Sequence, residues 1–180
     1  MTATATAGRI HARSATAERA TPLQYLIGVT RLALGWTFLW PFLDKTFGLG
    51  HETAHADGWI HGGSPTAGFL GHATAGPFSG FYQNLAGHAV CDWLFMLGLL
   101  GIGVALIAGV AVRLAAAAGA LLLGMMWSAV LPPANNIFMD DHIIYALVLG
   151  VLALSAAGRT LGLASTWENL PIVKRLPFLR

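Results

Sequence analysis

One arginine interrupts the apolar run from Leu23 to Leu43. At about 1.5 Å of rise per residue, Arg31 lies about 12 Å into that run. A charge held at such depth costs about 2.5–3.5 kcal/mol on insertion scales. Something must offset that cost. Either Arg31 faces the interior and holds an anion, a quinone oxygen or an acid such as Asp92, Asp140 or Asp141, or its stem lets the charge snorkel to the headgroups. A second polar cluster is Pro-Pro-Ala-Asn-Asn-Ile-Phe-Met-Asp-Asp-His over 132–142. Asp140 and Asp141 are candidate catalytic carboxylates or simple helix caps. His142 supplies an imidazole, the side-chain type suited to passing protons to a quinone at a membrane edge. Asn135 and Asn136 add amide donors, and Trp127 on the preceding apolar run offers a wall for a flat ring or an interfacial anchor. A third pattern, His51-Glu52-Thr53-Ala54-His55, matches H-E-x-x-H, in which two His one helical turn apart bind zinc beside a glutamate base. It lies between Gly48-Leu-Gly50 and Gly58, in barely two turns, and would need His61, His72 or Asp57 as third ligand. That context favours surface histidines, and no metal is expected.

The elements that must position these groups follow from composition. The chain has 180 residues, 56% of them hydrophobic and 10% charged, where soluble domains carry roughly 25% charged residues. It cannot coat a soluble globule with charge, so a soluble enzyme and a disordered chain are both excluded. The net charge of +2, with no basic stripe, argues against nucleic acid. The remaining solvent is a lipid bilayer. The run from Ala89 to Leu131 carries only Asp92 and Arg113, and as one helix it would reach about 65 Å, twice the bilayer. A turn near Gly109 to Arg113 must divide it. A fourth, short run, Ile143 to Ala157, reaches spanning length only by extending into Asp141, His142 and Gly158.

Eight of the ten Lys and Arg, namely Arg9, Arg13, Arg19, Arg113, Arg159, Lys174, Arg175 and Arg180, fall on one side of these spans, opposite Lys45. The positive-inside rule makes that side cytoplasmic. The expectation is an all-α integral membrane protein of the plasma membrane: a four-transmembrane-helix bundle with spans at about 23–43, 89–110, 114–131 and 142–158. A mobile tail over 1–22 and a basic tail over 159–180 both lie in the cytoplasm. A long outer loop, 44–88, carries a short interfacial helix. That helix is read from Phe78, Phe81, Tyr82 and Leu85 at i, i+3, i+4 and i+7 after Pro77, as a lid on the bundle. Gly101, Ala105 and Gly109 form one small-residue stripe and Ala116, Ala120, Gly124 and Ser128 another, fitted to each other or to a second copy in a homo-oligomer. Cys91 is the only cysteine, so the chain has no internal disulfide, no C-x-x-C pair and no C-x-x-C-H haem attachment. No covalent cofactor is expected.

Four stretches resemble the DoxX/DoxD family of small membrane proteins. They are Arg31-Leu-Ala-Leu-Gly35-Trp-Thr-Phe-Leu39 with Leu43-Asp44-Lys45; Trp59-Ile-His-Gly-Gly-Ser-Pro-Thr66 with Gly68-Phe-Leu70; Gly103-Val-Ala-Leu-Ile-Ala-Gly109 leading to Arg113-Leu-Ala-Ala; and Asn135-Asn-Ile-Phe-Met-Asp-Asp-His142. The resemblance covers about residues 25 to 160. It implies a four-helix bundle and, as in DoxD-like members, the membrane subunit of a thiosulfate:quinone oxidoreductase working with a separate DoxA-like redox subunit. Quinone would be the electron acceptor, and Lys45, Arg31 and the outer histidines would attract the thiosulfate dianion. On this reading Arg31, Asp140, Asp141 and His142 form the polar end of one site, with Lys45, Trp127, Asn135 and Asn136 binding substrate or quinone. The alternative is a non-catalytic membrane scaffold that docks a soluble or peripheral redox enzyme.

Overall fold

The computed structural model describes residues 20–179, so most of the expected N-terminal tail, with Arg9, Arg13 and Arg19, lies outside the described residues, as does Arg180. The helices are α1 (Pro22–Phe47), α2 (Ser79–Gln83), α3 (Ala89–Ala108), α4 (Val112–Ala129), α5 (Asp141–Leu154), α6 (Ala164–Trp167) and α7 (Pro171–Arg175). No strand occurs among the described residues. The helix ends have local causes. Thr21 caps α1 reciprocally with Gln24, Thr21 Oγ1 accepting from the Gln24 N–H at 3.3 Å and Gln24 Oε1 from the Thr21 N–H at 2.7 Å, with Pro22 in the first turn. Gly48 at φ 62 and Gly109 at φ 72 end α1 and α3 in the left-handed region, where lack of a Cβ removes the steric penalty. The expected division of the long apolar run is thus a tight turn at residues 109–111.

Helices α1, α3, α4 and α5 pack as neighbours in an antiparallel bundle around Phe38, Met96, Leu99, Ile102, Leu123 and Leu149. Close approach depends on three glycines. A Cβ on Gly35 would lie 2.9 Å from Ile107, one on Gly103 2.9 Å from Leu39, and one on Gly119 2.7 Å from Leu149. The expected stripes are met in part: Ala116 is buried and Ala105 and Ala120 pack against the core, whereas a Cβ added at Gly101 or Gly124 would meet nothing within 4 Å, because the rotation of α3 and α4 turns those two glycines away from the neighbouring helices.

Three helices, α1, α3 and α4, are long and apolar enough to cross a membrane. At 14 residues, α5 is shorter. The bundle presents Leu94 at 68%, Leu121 at 67% and Leu154 at 88% exposure, with Trp36 and Trp93 among them. Such continuous apolar surface suits lipid contact and not water. One end of the bundle, here the loop end, carries residues 48–88 and 130–140. The other, the basic end, carries the α3–α4 turn and the segment after α5. That segment is folded and not a tail over its described part: α6 and α7 follow, Val173 is fully buried, and Trp167 Nε1 donates to the Leu179 carbonyl at 2.7 Å.

Candidate functional site

Arg31 is completely buried and meets none of the acids expected of it. Its Nε donates to the Ala157 carbonyl at 3.2 Å, Nη1 to those of Leu106 and, at 2.9 Å, Ile107, and Nη2 to Thr160 at 3.4 Å and Leu161 at 2.7 Å. All three guanidinium nitrogens are engaged with backbone, leaving nothing for an anion or a quinone. The physical reason is the position of helix ends: the last turn of α3 and the segment after α5 present carbonyls with no intrahelical donors, and the fork of a cation satisfies both. Asp92 belongs to the first turn of α3, about 21 Å along the helix from Leu106. Asp140 and Asp141 begin α5, whose far end leads to Ala157. Arg31 and the polar cluster therefore occupy opposite ends of the bundle and do not form one site.

At the loop end, Asp140 caps α5, its Oδ1 accepting from the Ile143 N–H at 3.3 Å, while its Oδ2 lies 2.8 Å from His142 Nδ1. Asp141 Oδ1 is 3.6 Å from the same nitrogen. Asp140 thus both caps the helix and orients the imidazole. The indole of Trp127 donates to the Phe138 carbonyl at 2.7 Å, and Asn136 Oδ1 accepts from the Phe138 and Met139 N–H groups at 3.3 and 3.4 Å. Both side chains shape the loop before α5, and Asn135 is exposed beside them. The H-E-x-x-H stretch is not helical. Residues 51–53 form a bend, His51 packs edge-on to Trp40 with centroids 5.0 Å apart, and His55 packs near His61. The glycines around it prevent the single helix that would put His51 and His55 one turn apart on one face.

An apolar concavity lies elsewhere. A cavity of about 390 Å³ separates α3 from α4 below the long loop. Its walls are apolar: Leu94, Phe95 and Gly98 from α3, and Leu121, Leu122 and Met125 from α4. Leu94 and Leu121 are also exposed on the outside of the bundle, so the cavity opens between the helices toward their lipid-facing sides. Its roof comes from Thr66, Phe69, Leu70, Tyr82 and Leu85, and Lys45 and Glu52 supply its charges. Of the binding residues expected from sequence, Lys45 alone lines it.

Several ties hold the roof. Asp92 Oδ1 accepts from the Ser64 hydroxyl at 2.9 Å, the Thr66 hydroxyl at 2.6 Å and the Thr66 N–H at 3.1 Å. Asp44 binds the N–H groups of His51, Glu52 and Thr53 at 3.3, 3.1 and 2.9 Å. Tyr82 Oη lies 2.6 Å from Ser128 Oγ on α4. The expected interfacial helix is shorter than its periodicity suggests. A 3-10 turn at Gly76–Phe78 leads into the five residues of α2, with Tyr82 turned into the bundle and Phe81 out at 62% exposure. Gly80 within it and Gly87 after it at φ 71 shorten the run. Asp44 and Asp92 position the roof, a role that sequence reasoning gave to neither, and Tyr82 ties it to α4 from within the expected lid helix. The available signal was a carboxylate within a turn of each helix end that flanks the long loop, with Ser64 and Thr66 in the loop as hydroxyl donors.

Replacing Asp92 with Ala orphans the buried Thr66 N–H and hydroxyl, at about 1–3 kcal/mol. The expected result is faster amide exchange over residues 64–70 while α4 and α5 keep their protection. Uniform protection in the variant would show that the roof does not depend on Asp92.

Comparison with known protein families, with curated proteins and with solved structures finds no match for this chain.

Proposed function

We propose that the cavity between α3 and α4 binds a lipid-soluble quinone, and that the chain is the quinone-interacting membrane subunit of a sulfur-compound (thiosulfate):quinone oxidoreductase. The observation that carries this reading is the cavity itself, with apolar walls reachable from the bilayer and Lys45 and Glu52 toward its loop end. A quinone has the matching chemistry: an apolar tail and ring, with carbonyl oxygens that accept hydrogen bonds from an ammonium group. Reduction to quinol takes two electrons and two protons, and oxidation of two thiosulfates to tetrathionate releases two electrons. With one cysteine and no C-x-x-C pair in the chain, the electrons arrive through a separate redox subunit of the DoxA-like kind. This chain supplies the seat, the orientation and Lys45 as a donor to the reduced oxygen. In the same reading four helices span the plasma membrane with both termini cytoplasmic, the segments flanking α5 completing its crossing.

One observation favours the scaffold as a second reading: the deeply buried charges Arg31, Asp44 and Asp92 all bind neighbouring groups of the fold. Gentle purification in detergent, followed by mass spectrometry of bound lipid and co-purifying polypeptides, separates the two. Stoichiometric quinone supports the electron-transferring subunit. An active partner enzyme with no quinone on this chain supports the scaffold.

A further inference from the structure

A second cavity, of about 230 Å³, lies at the basic end, between the start of α4 and the segment after α5. Arg113, Arg159, Trp167 and Glu168 line it. Arg159 Nη2 pairs with Glu168 Oε2 at 3.1 Å, and Arg113 is exposed and makes no ion pair among the described residues. One guanidinium therefore remains uncompensated at the cavity. Lys174 and Arg175 on α7 belong to the same folded segment, so among the described residues of this end, besides the buried Arg31, four cations stand against one carboxylate.

The apolar groups of that segment are distributed in an unusual way for a water-facing surface. Leu163 is 58%, Ile172 58% and Phe178 62% exposed, whereas Val173 is fully buried. The segment is nevertheless tied to the bundle, through the Arg31 contacts and a hydrogen bond from the Leu163 N–H to the Ala108 carbonyl at 2.9 Å. A rigid segment at a bundle end, with apolar side chains outward and cations beside them, has the composition of a membrane-interface element.

We infer that this cavity seats the phosphodiester headgroup of an anionic phospholipid, with Arg113 and Arg159 on the phosphate and Ile172 and Phe178 against the acyl chains. Charge complementarity selects the occupant. Guanidinium forks match phosphate oxygens, and the net positive charge of the site prefers a lipid whose headgroup is anionic over one that is zwitterionic. The volume, equal to that of about eight waters at about 30 Å³ each, accommodates a phosphate group. This site is separate from the quinone cavity, and its failure would leave that reading untouched.

The test is native mass spectrometry of the full chain, stripped of lipid in detergent and titrated with phosphatidylglycerol or with phosphatidylcholine of the same acyl chains. The expected result is one phosphatidylglycerol per chain, held at least about tenfold more tightly than phosphatidylcholine, a difference of about 1.4 kcal/mol. Arg113→Gln should remove about that tenfold preference, Arg113→Lys should restore part of it, and the double variant Ile172→Ser, Phe178→Ser should weaken both lipids. Arg113 makes no ion pair among the described residues, so its variants should melt like the parent, and Arg159→Gln provides an independent second variant. Equal retention of the two lipids, or an unchanged preference in both arginine variants, would overturn the inference. Displacement of phosphatidylglycerol by an excess of inorganic phosphate would also overturn it, by showing a site for the free ion.

Discussion

Replacing Arg31 with Leu should leave a chain that inserts but does not complete its bundle. The substitution fits the apolar character of α1 and removes a costly charge, so insertion itself should improve. It also removes every donor that the Ile107, Ala157 and Leu161 carbonyls find in the bundle interior. The Ala157 acceptor is buried and those of Ile107 and Leu161 are half-buried; an orphaned buried acceptor costs about 1–3 kcal/mol, and the three together outweigh the relieved desolvation. For a chain of this size, a net loss of about 3 kcal/mol corresponds to a melting temperature lower by about 10 °C. Arg31→Lys should recover little, since one ammonium cannot span acceptors from two segments as a planar fork does. Thermal melting in detergent reads the effect. Unchanged melting together with lost quinone would instead return Arg31 to a binding role.

The second large effect is expected at Gly98. It lines the cavity proposed for quinone, and a Cβ placed there meets nothing within 4 Å. Gly98→Leu should therefore fill the space without displacing a neighbour, and an exchanged helix glycine gains about 0.8–1 kcal/mol of propensity. Quinone retention, or quenching of tryptophan fluorescence by a short-chain quinone, should fall at least about tenfold, equivalent to about 1.4 kcal/mol. Melting should stay level or rise. This combination separates an occupied site from a damaged fold. If binding survives Gly98→Leu and is lost in His142→Ala, the ligand sits at the start of α5 and the cavity reading is wrong.

Local signals in the sequence are faithful here where the physics is local. Thr21 with Gln24, Gly48 and Gly109 mark helix ends within a few residues, because caps and left-handed turns depend on neighbours alone. The capping reading of Asp140 holds for the same reason. Rotation about a helix axis is not local. Gly101 and Gly103 are two residues apart, about 200° around the helix, and only Gly103 meets a partner. Gly101 belongs to the small-residue spacing with Ala105 and Gly109 and Gly103 does not, so spacing pointed to a face of α3 that the bundle leaves open at Gly101. Arg31 shows a different limit. Its acceptors are main-chain carbonyls, which leave no trace in residue type, so a search for acids found acids at the wrong end of the bundle. The cavity draws on α1, α3, α4 and three stretches of the long loop, and no short motif encodes a space bounded by such distant segments.

The Arg31 clamp also imposes an order on synthesis. The guanidinium enters the apolar layer with the first helix, while its acceptors at Leu106 and Ile107, and then at Ala157 to Leu161, are made 75 to 130 residues later. Until the segment after α5 folds back, the nascent chain carries an arginine whose charge is only half accommodated, at a standing cost of the order of a few kcal/mol. The last-made part of the bundle thereby completes the first, and a chain cut short after Leu154 should be recognisable to membrane quality control. Its lifetime in cells, compared with that of the same truncation carrying Arg31→Leu, would measure how much of that recognition the lone charge provides.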